Sequence, residues 1–425
     1  MNEWVKLKIP DFATIVSGAT PATNVSEYWD GEIVWITPND LSRLRNRFID
    51  TSERKISHQG LKSASTTITP ARSVVMSSRA PIGYFGIPTL DFTTNQGCKS
   101  FVFSDEHDAE FHYYNFVYNA DLFKRYGSGS TFMEISKSNI EKLSFLVPVD
   151  IKVQRKIAKI LSTVDAVIEK TEAVIEKYQA IKAGTINDLI TRGIDIQTGK
   201  LRPSFKEAPE LYKESELGWI PKEWVVTEFQ DACLEFINGG TPSTKNASNW
   251  VGSIPWITGA DFLESFEVGF IRRQINEDAL RYSSSHLIRK GNILLVTRTG
   301  VGKLAIAPFD VAISQDITGI ILDSSQYCVE FFYYYLQVLV ENFKKMNQGT
   351  SINGIIRSDL EATLILKPPL VEQKQIAAVL KALDESLKKE QSNQSKYHDL
   401  KIGLMADLLT YKVRVIINED KLENS

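Results

Sequence analysis

A long internal repeat constrains the fold of this chain more than any other feature of its sequence. Residues 17–21 (SGATP) match residues 238–242 (NGGTP) at a separation of 221 positions. At the same separation, residues 35–40 (WITPND) match residues 256–261 (WITGAD). Self-similarity at one nearly constant separation indicates a tandem duplication. The 425 residues are therefore expected to fold as two copies of one unit.

Further matches follow along the whole chain at separations of 219 or 220 residues. They join residues 78–83 to 297–302, Gln96 to Gln315, 129–132 to 349–352, 154–161 to 373–380, Asp165 to Asp384, and 188–191 to 407–410. A chain of this length has room for two or three domains, so each copy can hold a core of its own.

The first part of each copy consists of short apolar runs broken by Gly, Pro, Ser and Asn. Residues 31–36 (GEIVWI) and 291–296 (GNILLV) are typical of these runs, which predict strands. Near the end comes one aromatic helical pattern, residues 111–116 (FHYYNF) in the first copy and 330–336 (EFFYYYL) in the second. We interpret these rings as helix core, and a stacking platform for nucleobases is the alternative.

The second part of each copy predicts one long helix. Pro148 and Pro368 end the preceding strand, and apolar residues then recur at alternating steps of three and four, with polar interruptions at Thr171 and Gln394. This spacing is that of a coiled-coil seam, and a helix of roughly 35–40 residues is about 50–60 Å long. The seam residues are Ile157, Leu161, Val164, Ile168, Ile175, Tyr178 and Leu189, then Ile376, Leu380, Leu383, Leu387, Tyr397, Leu404 and Leu408.

Neither long helix can bury its apolar stripe on its own small domain, so the two are expected to pack together. The connection permits either direction, and an antiparallel pair is favoured because it gives a dumbbell with one domain at each end. The predicted fold class is α+β, with two mainly β domains separated by two long helices packed as an antiparallel coiled coil, in a pseudo-two-fold tandem repeat. The predicted segments are domain 1 at 1–148, a helix at 149–192, a linker at 193–222, domain 2 at 223–368, a helix at 369–412 and a tail at 413–425.

Composition and charge set limits on compartment and partners. No apolar run approaches the ~20 residues needed to cross a bilayer, and the first residues do not have the pattern of a signal peptide. The cysteines Cys98, Cys233 and Cys328 have neither metal-ligand spacing nor an even count, so a cytoplasmic protein is expected. The net charge of −3 and pI of about 6.1 are unusual for a protein that binds DNA alone. Either the chain does not bind nucleic acid, or the neutralising charge is local or comes from a partner.

One segment and the two helix starts resemble a known family. Residues 215–224 (SELGWIPKEW) resemble the S-E-x-G-W-I-P-x-x-W hallmark of specificity subunits of type I restriction–modification systems. Residues 147–158 and 368–377 are similar to the P-P-x-x-E-Q-x-x-I-A pattern of that family, although Val153 stands where the second copy has Glu372. Residues 297–302 (TRTGVG) are also similar to the family. The resemblance covers essentially the whole chain.

The resemblance implies a DNA-recognition subunit without catalytic chemistry. Each domain would be a target-recognition domain reading one half of a bipartite, asymmetric site in double-stranded DNA, and the helices would fix the gap. Half-sites on one face of the duplex would lie about one helical turn, ~34 Å, apart. Two modification subunits with S-adenosylmethionine would methylate adenine, and restriction subunits would use ATP and Mg to translocate and cut DNA. No cofactor is expected on this chain, and no membrane.

Arginines and polar residues at repeated positions are the candidates for contact with DNA. Arg43, Arg45 and Arg47 form a basic cluster, and Arg272 with Arg273 occupies the comparable stretch of the second copy. A solvated loop is the alternative interpretation of this cluster.

Other candidates lie within the repeat matches themselves. Ser78-Arg79 and Thr297-Arg298 would let a guanidinium approach a phosphate or a guanine edge, or would form a buried ion pair. Gln96 and Gln315 would read adenine through two hydrogen bonds, or would belong to the framework. The remaining candidates are phosphate contacts or turn residues: Lys303, Ser130, Thr131, Thr350 and Ser351.

A search of the sequence for catalytic motifs yields none. Residues 299–303 (TGVGK) lack the first glycine of a phosphate-binding loop and the Ser or Thr that follows its lysine. The only Pro-Pro pair, residues 368–369, lacks the flanking residues of an adenine methyltransferase motif. The histidines His58, His107, His112, His286 and His398 form no metal-binding spacing. The alternatives to a DNA reader are a self-sufficient methyltransferase or nuclease, and a coiled-coil scaffold that does not bind DNA.

Overall fold

The computed structural model describes residues 3–64, 66–79, 81–127, 133–263, 267–298, 301–347 and 354–417. The chain divides into two compact units. Unit 1 consists of residues 1–174 and 390–425, and unit 2 consists of residues 175–389. Each unit therefore contains one strand-rich head, together with the start of one long helix and the end of the other.

Head 1, residues 4–148, is built mainly of strands. They are β1 (Trp4–Lys8), β2 (Ala13–Ser17), β3 (Trp29–Ile36), β4 (Phe48–Ile49), β5 (Lys55–Ile56), β6 (Val74–Ser77), β7 (Phe85–Pro88), β8 (Phe92–Thr94), β9 (Cys98–Phe103) and β10 (Ser144–Pro148). One sheet has the order β2-β9-β6-β7-β4, another has the order β5-β3-β8, and β1 pairs with β10. Short helices complete the head: α1 (Pro38–Ser42), α2 (His58–Ser63), α3 (Ala109–Tyr118), α4 (Ala120–Arg125) and α5 (Lys137–Ile140).

Head 2, residues 225–367, repeats this plan after the long helix α6 (Ile151–Thr191) and the hairpin of β11 (Tyr212–Ser215) with β12 (Gly218–Pro221). Its strands are β13 (Val225–Glu228), β14 (Cys233–Asn238), β15 (Ile254–Ile257), β16 (Arg273–Ile275), β17 (His286–Ile288), β18 (Ile293–Val296), β19 (Leu304–Ile306), β20 (Val311–Ile313), β21 (Ile317–Leu322) and β22 (Leu364–Lys367). Its helices are α7 (Glu277–Tyr282), α8 (Val329–Asn347) and α9 (Arg357–Glu361), followed by the long helix α10 (Leu370–Leu409).

The strand pairings of the two heads correspond. The order β14-β21-β18-β19 repeats β2-β9-β6-β7, and β16-β15-β20 repeats β5-β3-β8. In both heads the second sheet contains one parallel pair, β3 with β8 and β15 with β20. The chain is therefore an α+β tandem repeat with two mainly β heads, as the sequence predicts.

The repeated W-I-T motif is a helix-capping device. The backbone N–H of Thr37 donates to Asp40 Oδ2 at 2.8 Å, and the backbone N–H of Thr258 donates to Asp261 Oδ2 at the same distance. Each carboxylate thus stabilises the turn that follows its strand, because it accepts from an N–H that the helix itself leaves unpaired. The motif is structural in both heads.

The aromatic helices form the head cores, as their interpretation as helix core predicts. Phe111, Tyr114 and Phe116 of α3 are fully buried, and so are Phe331 and Phe332 of α8. Two glutamines at the starts of the long helices close the base of each core. Gln154 accepts from the backbone of Asp108 and donates to the carbonyl of Pro148, and Gln373 makes the same two bonds to Cys328 and Pro368.

In unit 1, the start of α6 runs antiparallel to the end of α10. Lys401 Nζ lies 2.6 Å from Asp165 Oδ1, and Gln394 Nε2 donates to Glu172 Oε1 at 3.1 Å. As the residue number rises along α6, the residue number of the contacted position on α10 falls, so the two helices are antiparallel. The apolar side of this contact joins Ile157 and Leu161 to a cluster that includes Met405, Leu408 and Leu409.

Unit 2 contains the reciprocal pairing of the end of α6 with the start of α10. Lys182 Nζ lies 2.6 Å from Asp384 Oδ1. Ile186, Leu189 and Ile190 share one buried cluster with Ile376, Ala377 and Leu380. The antiparallel packing expected from the seam is therefore present within each unit, and α6 and α10 fall inside the segments predicted at 149–192 and 369–412.

A tyrosine of each head joins these helix contacts. The Tyr114 hydroxyl donates to Asp165 at 2.6 Å, and the Tyr334 hydroxyl donates to Asp384 at 2.8 Å. Burial and the neighbouring carboxylate both raise the pKa of each hydroxyl. One head, the start of its own helix and the end of the other helix thus meet at one carboxylate.

The family-like segment between the two copies is anchored by a buried carboxylate. Glu372, which is fully buried, accepts from both terminal nitrogens of Arg202 and from Trp224 Nε1 at 3.0 Å. It also accepts from the backbone N–H of Ile194 at 2.8 Å. At the matching position of α6, Val153 lies in an apolar cluster with Val415. The first copy therefore places an apolar residue where the second copy has a buried carboxylate.

We expect Arg202→Met to lower the free energy of unfolding by about 3–5 kcal/mol, because Glu372 would remain buried without a cation. Arg289→Met is the matched control, since the ion pair of Arg289 with Asp310 is exposed and contributes about 1 kcal/mol or less. Adding Glu372→Gln to Arg202→Met should recover part of the loss. Urea unfolding of the full chain measures all of these changes. Equal effects of the two methionine variants would contradict the assignment of Glu372 as a buried anchor.

Candidate functional site

An indole pair and a glycine-containing loop form the framework of the candidate site in head 1. Trp35 Nε1 donates to the carbonyl of Ala19 at 3.0 Å, and Trp29 Nε1 donates to the carbonyl of Ala22 at 3.1 Å. The two rings meet edge to face with centroids 5.1 Å apart. The S-G-A-T-P loop is thereby held against the second sheet at two points.

Head 2 repeats this framework contact for contact. Trp256 Nε1 donates to the carbonyl of Gly240 at 3.2 Å, and Trp250 Nε1 donates to that of Ser243 at 3.3 Å. A glycine is required where each loop crosses the sheet, because a Cβ on Gly18 or Gly239 would lie 1.8 or 2.2 Å from a backbone carbonyl oxygen. The repeated G-x-T-P pattern is therefore explained by close packing.

The threonine of each loop holds an exposed glutamine. Thr20 Oγ1 donates to Gln96 Oε1 at 2.5 Å, and Thr241 Oγ1 makes the same bond to Gln315 Oε1. Both glutamines are exposed, on the turns that connect β8 to β9 and β20 to β21. Each head thus presents one side-chain amide in a restrained orientation. An amide that donates and accepts in one plane can pair with the edge of a base.

The repeated Ser-Arg and Thr-Arg segments lie beside these glutamine turns. The backbone N–H of Ser78 donates to the carbonyl of Gly97, and that of Thr297 donates to the carbonyl of Asp316, both at 2.8 Å. The arginines that follow are at the surface: Arg298 is exposed, and Arg79 pairs with Glu134 at 3.1 Å with about half of its side chain exposed. The Arg79 pair is therefore a surface pair.

The surroundings of the two glutamines differ in charge. Lys99 lies buried below Gln96 and donates to its carbonyl at 3.3 Å. Burial lowers the pKa of Lys99, and Glu134 opposes that shift. The matching residue of head 2 is Thr318, which donates to Asn238 Oδ1. One framework therefore carries a cation in head 1 and a neutral hydroxyl in head 2.

The basic cluster of head 1 is divided among three environments. Arg43 is exposed and pairs with Glu53 at 3.0 Å. Arg47 is largely buried, pairs with Glu110 at 3.1 Å and lies 4.3 Å from the ring of Phe48. Arg45 lines a cleft of about 340 Å³. The structure thus brings Arg43 to the surface and packs Arg47 into the framework.

The two arginines of head 2 that the sequence compares with this cluster lie on and beside β16. Arg272 donates to Asp261 at 2.8 Å. Burial opposes ionisation of Asp261, but hydrogen bonds from Arg272 and Thr258 hold its pKa below the usual value. Arg273 lies 5.7 and 5.6 Å above the rings of Trp250 and Trp256. Lys303 donates to the carbonyl of Phe262 at 3.3 Å.

One exposed arginine was not predicted from the sequence as a candidate for DNA contact. Arg54 lies 3.6 Å above the ring of Trp29. Strand pairing matches β5 with β16, so Arg54 corresponds to Arg273 and Glu53 corresponds to Arg272. The separation of 219 residues between Arg54 and Arg273 is the signal that could have identified it.

The remaining candidates, Ser130, Thr131, Thr350 and Ser351, lie outside the described residues. In the described parts of the chain, no cluster of three or more His, Cys, Asp or Glu side chains is arranged to hold a metal ion. Among the helices that are described, none has the length and apolarity to cross a membrane.

Comparison with known proteins identifies relatives along the whole chain. The model of the type I restriction modification DNA specificity domain matches residues 1–177 and again residues 221–396. The MjaIX specificity subunit of Methanocaldococcus jannaschii is 27% identical over 422 residues, which cover 97% of this chain and 94% of that protein. The EcoR124I/EcoR124II specificity subunit of Escherichia coli is 29% identical over 157 residues, covering 35% of this chain and 37% of that protein.

Solved structures have the same fold. The S subunit of a type I restriction–modification system from M. genitalium aligns with a TM-score of 0.59 at 14% identity, covering 96% of both chains. A second structure, from a study of complex assembly and conformational transition of the type I system, aligns at 0.56 and 17% identity, covering 96% of this chain and 97% of that one. With the domain model matched twice over a duplicated fold, this chain belongs to the family of type I restriction–modification DNA specificity subunits.

Proposed function

We propose that this chain reads a bipartite, asymmetric site in double-stranded DNA and directs partner subunits to methylate adenine or to cleave. As a member of its family, the chain is a non-catalytic DNA-recognition subunit. The observation that carries the finer proposal is the threonine-held glutamine, which recurs in both heads on the same indole framework. The same device in two heads with different surroundings supports two readers of different half-sites.

The chemistry of the two exposed amides suits base recognition. A glutamine side chain can donate to adenine N7 and accept from adenine N6 at the same time. The threonine hydroxyl occupies one lone pair of the glutamine Oε1 and leaves the second lone pair available to the base. Around each amide, Arg79 or Arg298 can contact a phosphate or a guanine edge. Ser78 and Thr297 are buried and bind the glutamine turns through their backbone N–H groups, so they would position these turns. Lys303 remains a candidate for contact with a phosphate.

The asymmetry of the site follows from differences at matching positions. Head 1 has Lys99 below its glutamine, whereas head 2 has Thr318. Glu53 of head 1 corresponds to Arg272 of head 2, which reverses the charge next to the indole pair. Because different side chains surround one framework, the two heads are expected to prefer different bases.

Catalysis in the proposed complex belongs to other subunits. Two modification subunits would bind S-adenosylmethionine, and restriction subunits would bind ATP and Mg, while this chain would bind none of these cofactors. The net charge of −3 is consistent with that division, since part of the charge that neutralises DNA would come from the partners. A complex that modifies cellular DNA would act in the cytoplasm.

Exchange of residues 1–148 for the corresponding domain of another specificity subunit should alter one half-site of the methylated motif and leave the other unchanged. The reason is that each head reads its half through its own side chains. Genome-wide mapping of methylated adenines in cells with the parent and the exchanged chain measures the outcome. An unchanged motif, or the loss of both halves in a complex that still assembles, would refute the assignment of one reader to each head.

Gln96→Ala should reduce discrimination at one base pair of the first half-site by roughly ten- to a hundred-fold, the range for loss of a bidentate base contact. Thr20→Val should act in the same direction more weakly, because it releases the amide without removing it. Gln315→Ala and Thr241→Val are the matched variants, and their effects should fall on the other half-site. Binding competition between single-base variants of the wild-type motif provides the measurement. Equal losses at every base pair would show that the glutamines belong to the framework.

A further inference from the structure

We infer that Arg54 and Arg273 are a matched pair of DNA-contacting residues, each held against tryptophan so that its guanidinium binds a pair of acceptor atoms on DNA. The acceptor pair is either two phosphate oxygens or the O6 and N7 atoms of guanine. The inference rests on the proposed function, since it names contacts within the same two reading surfaces.

The geometry in head 1 holds one guanidinium in a defined orientation. The Arg54 guanidinium carbon lies 3.6 Å from the centroid of the Trp29 ring, and the side chain is exposed. A guanidinium that lies on an aromatic face keeps its N–H groups free at its edge, because stacking uses the face of the plane. This edge is the part that forms two parallel hydrogen bonds with a planar acceptor pair.

Head 2 repeats the arrangement with different neighbours. The Arg273 guanidinium lies 5.7 Å from the Trp250 ring and 5.6 Å from the Trp256 ring, and this side chain is also exposed. The preceding residue has changed from Glu53 to Arg272, yet the arginine and the indole pair are retained. The exposed arginine is present in both heads although the charge of the preceding residue is reversed. This argues that the arginine is not there to form an ion pair with that neighbour.

Several other arginines of the heads pair with carboxylates. Arg43, Arg79, Arg272 and Arg289 all pair with an Asp or Glu side chain. Within the residues that the structure describes, Arg54 and Arg273 have an aromatic partner and no ion pair with a carboxylate. Their charge is therefore available to an external anion.

The two arginines are continuous with the glutamine surface. Trp29 lies under Arg54 and contacts Trp35 edge to face. Both indoles donate to the loop that contains Thr20, which in turn holds Gln96. The same sequence of contacts links Arg273 through Trp250 and Trp256 to Thr241 and Gln315. Each head thus combines, on one framework, the two side-chain types that most often pair with guanine and with adenine.

The experiment uses the full chain assembled with its modification subunits and a duplex that contains the motif methylated by the wild-type complex. Arg54→Met is the main variant, because its apolar stem still covers Trp29 while the charge is lost. Arg54→Lys keeps the charge and removes the planar fork, Arg273→Met and Arg273→Lys are the counterparts in head 2, and Arg289→Met is the control. Affinity at several salt concentrations, the methylated motif and the melting temperature are measured for each.

Both methionine variants should bind about ten-fold more weakly or worse, with a melting temperature close to that of the wild type. If the arginine contacts a phosphate, the slope of log affinity against log salt concentration should fall by about one in the methionine variant. The lysine variant should then restore binding, and the methylated motif should be unchanged. If the arginine contacts guanine, the methionine variant should accept other bases at one position of the corresponding half-site. The lysine variant should not restore the preference for guanine at that position.

Two outcomes would overturn the inference. The first is that both methionine variants bind DNA with wild-type affinity and methylate the wild-type motif. The second is a lower melting temperature in Arg54→Met without any change in DNA binding, which would assign the arginine to covering the indole. Failure of the proposed function is a separate result, because the wild-type complex itself would then yield no split motif.

Discussion

The structure depends on two long helices that bury their apolar stripes against each other, and no other helix among the described residues approaches their length. Helices of 41 and 40 residues present far more apolar surface than one small head can cover, so each is stable only against the other. Asp165 and Asp384 orient this packing, because each accepts from a tyrosine of its head and pairs with a lysine near the end of the other helix. A carboxylate with two specific partners disfavours a sliding or reversed arrangement in which it would lose both.

The division between repeated and divergent residues follows physical role. The indole hydrogen bonds, the capping carboxylates and the glutamines Gln154 and Gln373 are retained in both copies, since each satisfies backbone groups that burial would otherwise leave unpaired. Divergence is concentrated where side chains reach solvent or line the reading surface, as at Glu53 and Arg272. A duplicated frame with unlike surfaces is what a reader of two different half-sites requires.

Sequence periodicity was sufficient for the elements and insufficient for the pairings. The repeat separation predicted two copies and the heptad spacing predicted two long helices, because both are patterns of residue types along the sequence. The Tyr114–Asp165–Lys401 contact could not be derived, since its members are far apart in sequence and are charged or polar residues of ordinary kind. Arg272 and Arg273 were compared with the cluster at Arg43 to Arg47, which also follows a W-I-T motif. The register of β5 and β16 instead matches Arg273 with Arg54, in agreement with their separation of 219 residues. Gln96 and Gln315 could be singled out from the repeat alone, but their threonine partners became visible only in the fold.

Cysteine cross-linking of the helices tests the antiparallel packing most directly. Glu169 and His398 line the same cleft of unit 1, so Glu169→Cys with His398→Cys should be joined rapidly by a short thiol-reactive cross-linker in the full chain. Peptide mass spectrometry should then find residues 151–191 linked to 370–409, and the chain without the introduced cysteines should not show this product. In a parallel, in-register pair, the repeat would instead bring Glu169 beside Lys388. Efficient cross-linking of Glu169→Cys with Lys388→Cys, and none with His398→Cys, would contradict the account.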